Sequence, residues 1–297
     1  MKKISQIPGF LFFMFFVVLI GLLPFRIMYM FSDFVAFMLR KVFKYRLKLV
    51  KTNLRRTNLS LTPKEESLLI RKIYRNLSDI ILEGIKSFSM SQQSIKKRHK
   101  VLNPEIIEPY INKGISTILV TGHIGNWEWG SLSAGIQTDY QIIGFYKPLK
   151  NKLIDNFLKR SRSKFGTILS PIRFTKQAFE AHKSKPCMFL MAADQNPRIV
   201  GASYWINFLG RKTAFLHGPE KYFKIYNYPV VYADIIRVKR GYYELHLTML
   251  IDQASDRMED GEITRLYVDR LEASIRTRPH SWLWTHRRWK HTPPEQQ

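Results

Sequence analysis

His123 and Glu128 are the two residues of this chain best suited to act as one chemical unit. They lie in the run Thr121-Gly122-His123-Ile124-Gly125-Asn126-Trp127-Glu128-Trp129-Gly130, with four residues between them. With His123 in the turn and Glu128 in the first turns of a following helix, the carboxylate is expected to reach the imidazole. That pair suits acyl transfer to a hydroxyl. The imidazole takes the alcohol proton as the oxygen attacks a thioester carbonyl, while the carboxylate fixes the ring tautomer and stabilises the imidazolium that forms. The substrate hydroxyl is then the nucleophile, in keeping with a chain that has no serine elbow motif. A His and a Glu at this spacing are common by chance. What sets this pair apart is its context: the end of an apolar run, two flanking glycines and two tryptophans able to wall an apolar pocket.

The elements that must position this pair read as an alternation. Thr62-Pro63-Lys64-Glu65 has the form of a capping box with proline at the first helical position, and Leu69, Ile73, Leu77, Ile80 or Ile81, and Ile85 recur at helical spacing after it. Asn103-Pro104 opens a short second helix. Strands are expected over 115–121, 140–146, 186–193, 229–238 and 242–250, and helices over about 152–164, 174–183, 214–226 and 261–277. Such alternation predicts an α/β fold: a single catalytic domain with a mostly parallel central sheet flanked by helices.

The sequence has 297 residues and a net charge of +25, from 48 Lys and Arg against 23 acidic residues. A polyanionic partner is implied, but charge alone does not choose between nucleic acid, anionic lipid and an acidic protein. The lone cysteine, Cys187, lies in an apolar run and reads as a small buried hydrophobe; an intramolecular disulfide is excluded. No metal-ligand spacing, P-loop or dinucleotide fingerprint is present. Pro8 to Phe25 is an uncharged, apolar stretch of about bilayer length without a small-residue cleavage site, so residues 1–26 are expected to form a retained membrane anchor. Residues 27–60 then form a basic interfacial segment (Arg40, Lys41, Lys44, Arg46, Lys48, Lys51, Arg55 and Arg56), and residues 61–297 the catalytic domain. The excess of basic residues after the anchor, against only Lys2 and Lys3 before it, predicts a catalytic domain on the cytoplasmic side. A soluble protein with a buried N-terminal helix is the alternative.

His-Ile-Gly-Asn-Trp-Glu at 123–128, Arg162-Ser163-Lys164-Phe165-Gly166, Asp194-Gln195, Phe208-Leu209-Gly210 and Trp282-Leu283-Trp284-Thr285-His286-Arg287-Arg288-Trp289-Lys290 together resemble the lipid A biosynthesis acyltransferase family, whose members share an H-x-x-x-x-D/E motif. The resemblance extends over nearly the whole chain. It departs from the family at Asn151-Lys152, where Asn-Pro is frequent, and at His280, where Glu is frequent. It implies transfer of a fatty acyl chain, from acyl carrier protein or an acyl-CoA donor, to a hydroxyl of a lipid A precursor at the bacterial inner membrane, with no cofactor. It further implies that Asn126, Arg162, Asp194 and Gln195 bind substrate, with Arg160 a rival for the role of Arg162. A lysophospholipid or an amino-acid lipid is an alternative acceptor. A non-catalytic basic protein of membranes or nucleic acid is the alternative of another class, though the chain has no recognisable nucleic-acid motif and none is expected as a partner.

Overall fold

A computed structural model describes residues 6–201, 203–252 and 258–294. The core is a seven-stranded sheet in the order β1-β9-β8-β2-β5-β3-β4. Its strands are β1 (His99–Val101), β2 (Thr117–Thr121), β3 (Gln141–Tyr146), β4 (Ile168–Pro171), β5 (Cys187–Ala192), β8 (Val230–Lys239) and β9 (Tyr242–Ile251). Every neighbouring pair is parallel except β8 and β9, which form an antiparallel hairpin. The expected α/β architecture with a mostly parallel sheet is therefore what the chain adopts. Side chains alternate along each strand, and both faces are covered. Ile118, Val120 and Phe189 enter one core cluster with Phe179, Phe223, Val268 and Leu271. Leu119 and Met188 enter the other, with Trp129, Leu132 and Tyr243. Cys187 is buried and free, as the sequence implied.

The helices in chain order are α1 (Ile7–Leu22), α2 (Phe25–Phe37), α3 (Leu47–Arg55), α4 (Pro63–Lys86), α5 (Gln92–Arg98), α6 (Glu108–Asn112), α7 (Trp127–Gln137), α8 (Lys152–Arg162), α9 (Thr175–Ala181), α10 (Gly218–Tyr226) and α11 (Glu262–Thr277). The capping box at the head of α4 is complete: Glu65 N donates to Thr62 Oγ1, and Thr62 N donates to a Glu65 carboxylate oxygen at 2.8 Å. One expected helix is corrected. Residues 214–216 belong to the hairpin of β6 (Ser203–Phe208) and β7 (Arg211–Leu216), and α10 begins only at Gly218. The turn is Leu209-Gly210, both at positive φ, the backbone of a two-residue turn whose twist matches that of its strands. Arg288 and Trp289 hold the hairpin. The buried Arg288 guanidinium donates to Ala214 O and lies over the Phe215 ring, and Trp289 Nε1 donates to Thr213 Oγ1. This part of the basic C-terminal run is thus internal structure and not a charged surface.

The expected membrane-spanning helix is also corrected. α1 has 16 residues, which at 1.5 Å per residue gives about 24 Å against a hydrocarbon core of about 30 Å. Among the described residues no helix is long and apolar enough to cross a membrane. The break comes at Leu23-Pro24, both extended, because a proline disfavours helical backbone in the residue before it. α1 instead lays Phe13 against Phe88 and Phe157. It is tied at its end by Lys86, whose ammonium donates to Gly21 O and Leu23 O. Lys2 and Lys3, on which the orientation argument drew, lie outside the described residues.

Candidate active site

β2 and β5 are adjacent and parallel, with Thr121 opposite Ala192. Two residues beyond each strand end, the same register brings His123 opposite Asp194, in the crevice at the carboxyl ends of a parallel sheet where ligands of open α/β folds sit. Asp194 Oδ1 lies 2.5 Å from His123 Nδ1, and its Oδ2 accepts from His123 N at 3.0 Å and from Trp282 Nε1 at 2.8 Å. Burial opposes charge on Asp194, but the imidazole and these donors outweigh it and hold the carboxyl far below its ordinary range. Burial likewise pulls the His123 imidazole down. Asp194, and more weakly the charge of Glu128, outweigh that effect and leave it raised.

An ionised Asp194 on Nδ1 keeps the proton of a neutral ring on that nitrogen. Nε2 is then the basic atom, and the Gln195 side-chain amide lies 3.0 Å from it. Trp127 meets the ring edge-on, with centroids 5.2 Å apart. The turn carrying His123 has room only for its two glycines. A Cβ on Gly122 would come within 2.5 Å of Leu271 Cδ1, and Gly125, at φ +57°, lies with its Cβ direction 2.6 Å from Ile235 O. Gly125 N donates to Ser281 O, and Ile124 bridges to Trp282, so the C-terminal segment closes one side of the site.

Glu128 is in the first turn of α7, where a helix N-terminus favours an acid. It does not hold the imidazole. Its carboxylate pairs with Arg162 at 2.6 Å, and each side chain is about a third exposed. The position expected for Glu128 is therefore taken by Asp194, which the sequence reading had placed among the substrate contacts. Arg162 ends α8, whose first turn is capped by Asn151. Arg160, its rival, is exposed and makes no ion pair among the described residues. Asn126 is fully buried with both ends of its amide engaged. Its Oδ1 accepts from Trp129 N, capping α7, and its Nδ2 donates to Glu83 at 2.7 Å.

Glu83 is a residue that sequence reasoning missed. Its signal was a lone carboxylate in Ile80-Ile81-Leu82-Glu83-Gly84-Ile85 of a helix otherwise turned to the core. It is fully buried and accepts from Tyr29 and Tyr243 hydroxyls and from Asn126, each at 2.7 Å. Burial pushes its carboxyl up, opposed by Arg237 and the two hydroxyls. One carboxylate thus joins α2, α4, β9 and the cap of α7. Replacing Glu83 by Ala strands three buried donors and is expected to cost about 3 kcal/mol or more of stability, at about 1–3 kcal/mol for each unsatisfied group, read by denaturant unfolding. A loss below about 1 kcal/mol would show that the hub does not hold these elements together.

Among the described residues no cluster of His, Cys, Asp or Glu is arranged to hold a metal. The arrangement can instead abstract a proton at His123 Nε2, with a cation and a carboxylate (Arg162 and Glu128) nearby. The family model described as bacterial lipid A biosynthesis acyltransferase matches residues 3–291 of the chain. No curated protein matches it significantly.

Proposed function

The chain belongs to the bacterial lipid A biosynthesis acyltransferase family and is an acyltransferase; from that premise we propose that it moves a fatty acyl chain from acyl carrier protein to a hydroxyl of a lipid A precursor. The observation that carries the chemical reading is the buried Asp194 on His123 Nδ1, which leaves Nε2 as the base. In the proposed reaction the Gln195 amide gives way to the acceptor hydroxyl. As that oxygen attacks the thioester carbonyl, its proton passes to His123 Nε2. The tetrahedral intermediate collapses, the carbon–sulfur bond breaks, and the imidazolium returns the proton to the leaving thiolate. Arg162, held by Glu128, offers a positive charge at the mouth for an anionic group of substrate. Asn126 acts through α7, whose first turn it caps.

The proposed place of action is the inner membrane, with the site on its cytoplasmic side. α1 and α2 lie in the interface in this reading, because they leave Leu11, Phe12, Phe15, Leu22, Met30 and Phe34 exposed. The +25 charge supports an acidic carrier protein as donor.

The test is a donor comparison on one lipid A precursor, with the product weighed by mass spectrometry. The precursor is expected to gain one acyl chain. The carrier-protein donor is expected to have the higher kcat/KM at low salt and to lose that lead as salt shortens the Debye length from about 10 Å at 0.1 M to about 3 Å at 1 M. A gain of acyl mass on a lysophospholipid or an amino-acid lipid alone would replace the acceptor. Equal use of carrier-protein and coenzyme A thioesters at all salt concentrations would assign the basic surface to lipid.

A further inference from the structure

Two hollows adjoin on the outer face of α4, and Arg40 lines both. One, of about 470 Å³, is walled by Arg40, Lys41, Lys51 and Arg55. The other, of about 300 Å³, is walled by Arg40, Arg71, Arg75 and Phe37. Their only carboxylates are already engaged: Glu66 by Arg55 at 3.1 Å, and Asp33 by Arg75 at 2.9 Å and Arg240 at 2.8 Å. Arg40, Lys41, Lys51 and Arg71 have no carboxylate partner among the described residues. Four cations thus share one concave trough whose two carboxylates are taken up by other arginines. Arg40 and Lys41 come from a π-helical turn, Met38–Val42, a wound-out backbone often found where a helix serves a site.

The trough is not part of the site at His123. The C-terminal segment beside that site packs on Ile73, Asn76, Leu77 and Ile80, a different face of α4. Phe37, which lines the trough, is more than half exposed, and so are its near neighbours in sequence Phe34, Val42 and Phe43. A free phosphate needs only the cations. A row of exposed apolar side chains next to them fits a ligand whose phosphate is attached to acyl chains in a bilayer.

We propose that the Arg40 trough is a binding seat for the phosphate headgroup of an anionic phospholipid, distinct from the acceptor site, which holds the chain on the membrane surface. The seat rests on the reading of the chain as an enzyme that works at a lipid surface.

The test uses the full chain and two double variants: Arg40→Ala with Arg71→Ala, and, as a control of equal charge, Lys113→Ala with Lys176→Ala. Arg71, Lys113 and Lys176 are exposed and Arg40 is half-buried, and unchanged thermal unfolding confirms that the fold persists. Binding to phosphatidylcholine vesicles with and without phosphatidylglycerol is measured by flotation, and turnover on a detergent-dispersed lipid A precursor is measured alongside. At about fivefold per surface cation, the first pair is expected to lower binding to the anionic vesicles about 30-fold, while the control stays near wild type. Equal losses in both pairs would mean diffuse attraction and overturn the seat, as would no loss in either. Normal vesicle binding with lost turnover in the first pair would make the trough an acceptor-phosphate site and overturn the choice of ligand. Absence of turnover in the wild-type chain would count against the enzyme reading alone, since the vesicle comparison still decides the seat.

Discussion

Replacing His123 by alanine is expected to lower kcat/KM about 10²–10⁴-fold while the chain still unfolds cooperatively. Among the described residues the ring alone has a nitrogen held by the buried Asp194 carboxylate, and no other imidazole there is oriented to take over the proton of the acceptor hydroxyl. Its partner Asp194 is left buried with two donors, His123 N and Trp282 Nε1, which still satisfy Oδ2. Some loss of stability is therefore expected alongside, and the assay must be made on protein shown to be folded. A folded His123→Ala protein that turns over at the wild-type rate would remove the imidazole from the mechanism.

The second large effect is expected for Asp194→Asn, in two measurable parts. The rate should fall about 10²–10⁴-fold, because an amide neither stabilises the imidazolium nor enforces the proton on Nδ1. The pH profile should also move. The base must be neutral to act, and His123 titrates above the ordinary imidazole range because Asp194 and Glu128 outweigh its burial. Activity of the wild-type chain should therefore be lost as pH falls through that raised value. Without the Asp194 charge, burial is the largest remaining influence and lowers the imidazole, so the acidic limb should shift to lower pH. A slower variant whose acidic limb stays in place would mean that Asp194 supports the site without setting the charge state of His123.

Much of the scaffold was legible locally. The capping box at Thr62, the apolar runs that became β2, β3, β5, β8 and β9, and the turn holding His123 all depend on neighbours in sequence, where pattern and propensity act. The elements that escaped have physical reasons. β1 and β4 are three and four residues long, too short to show a period, and exist because a sheet edge was there to receive them. β7 was absorbed into the following helix because Ala214-Phe215-Leu216 is apolar in either state. What makes it a strand is its pairing with β6 and the clasp of Arg288 and Trp289, some 75 residues away in sequence.

The sequence by itself carried the family and its acyltransferase chemistry, and it singled out His123 as the imidazole proposed for it, since a histidine between glycines at the end of an apolar strand is a local arrangement. It also carried the expectation that a strongly basic, apolar-fronted chain seeks an anionic partner. Only the tertiary structure decided which carboxylate serves His123. Glu128 is near in sequence, but its helix turns it toward Arg162. Asp194 is 71 residues away, and the register of β2 against β5 brings it to the ring in a site dry enough for the pair to matter. The structure, too, replaced the expected anchor over 1–26 by a 16-residue helix, Ile7–Leu22, packed on the domain, with the next helix, Phe25–Phe37, following the break. A proline breaks the run, and the buried hub at Glu83 gives the second helix a polar anchor that the apolar pattern alone did not reveal.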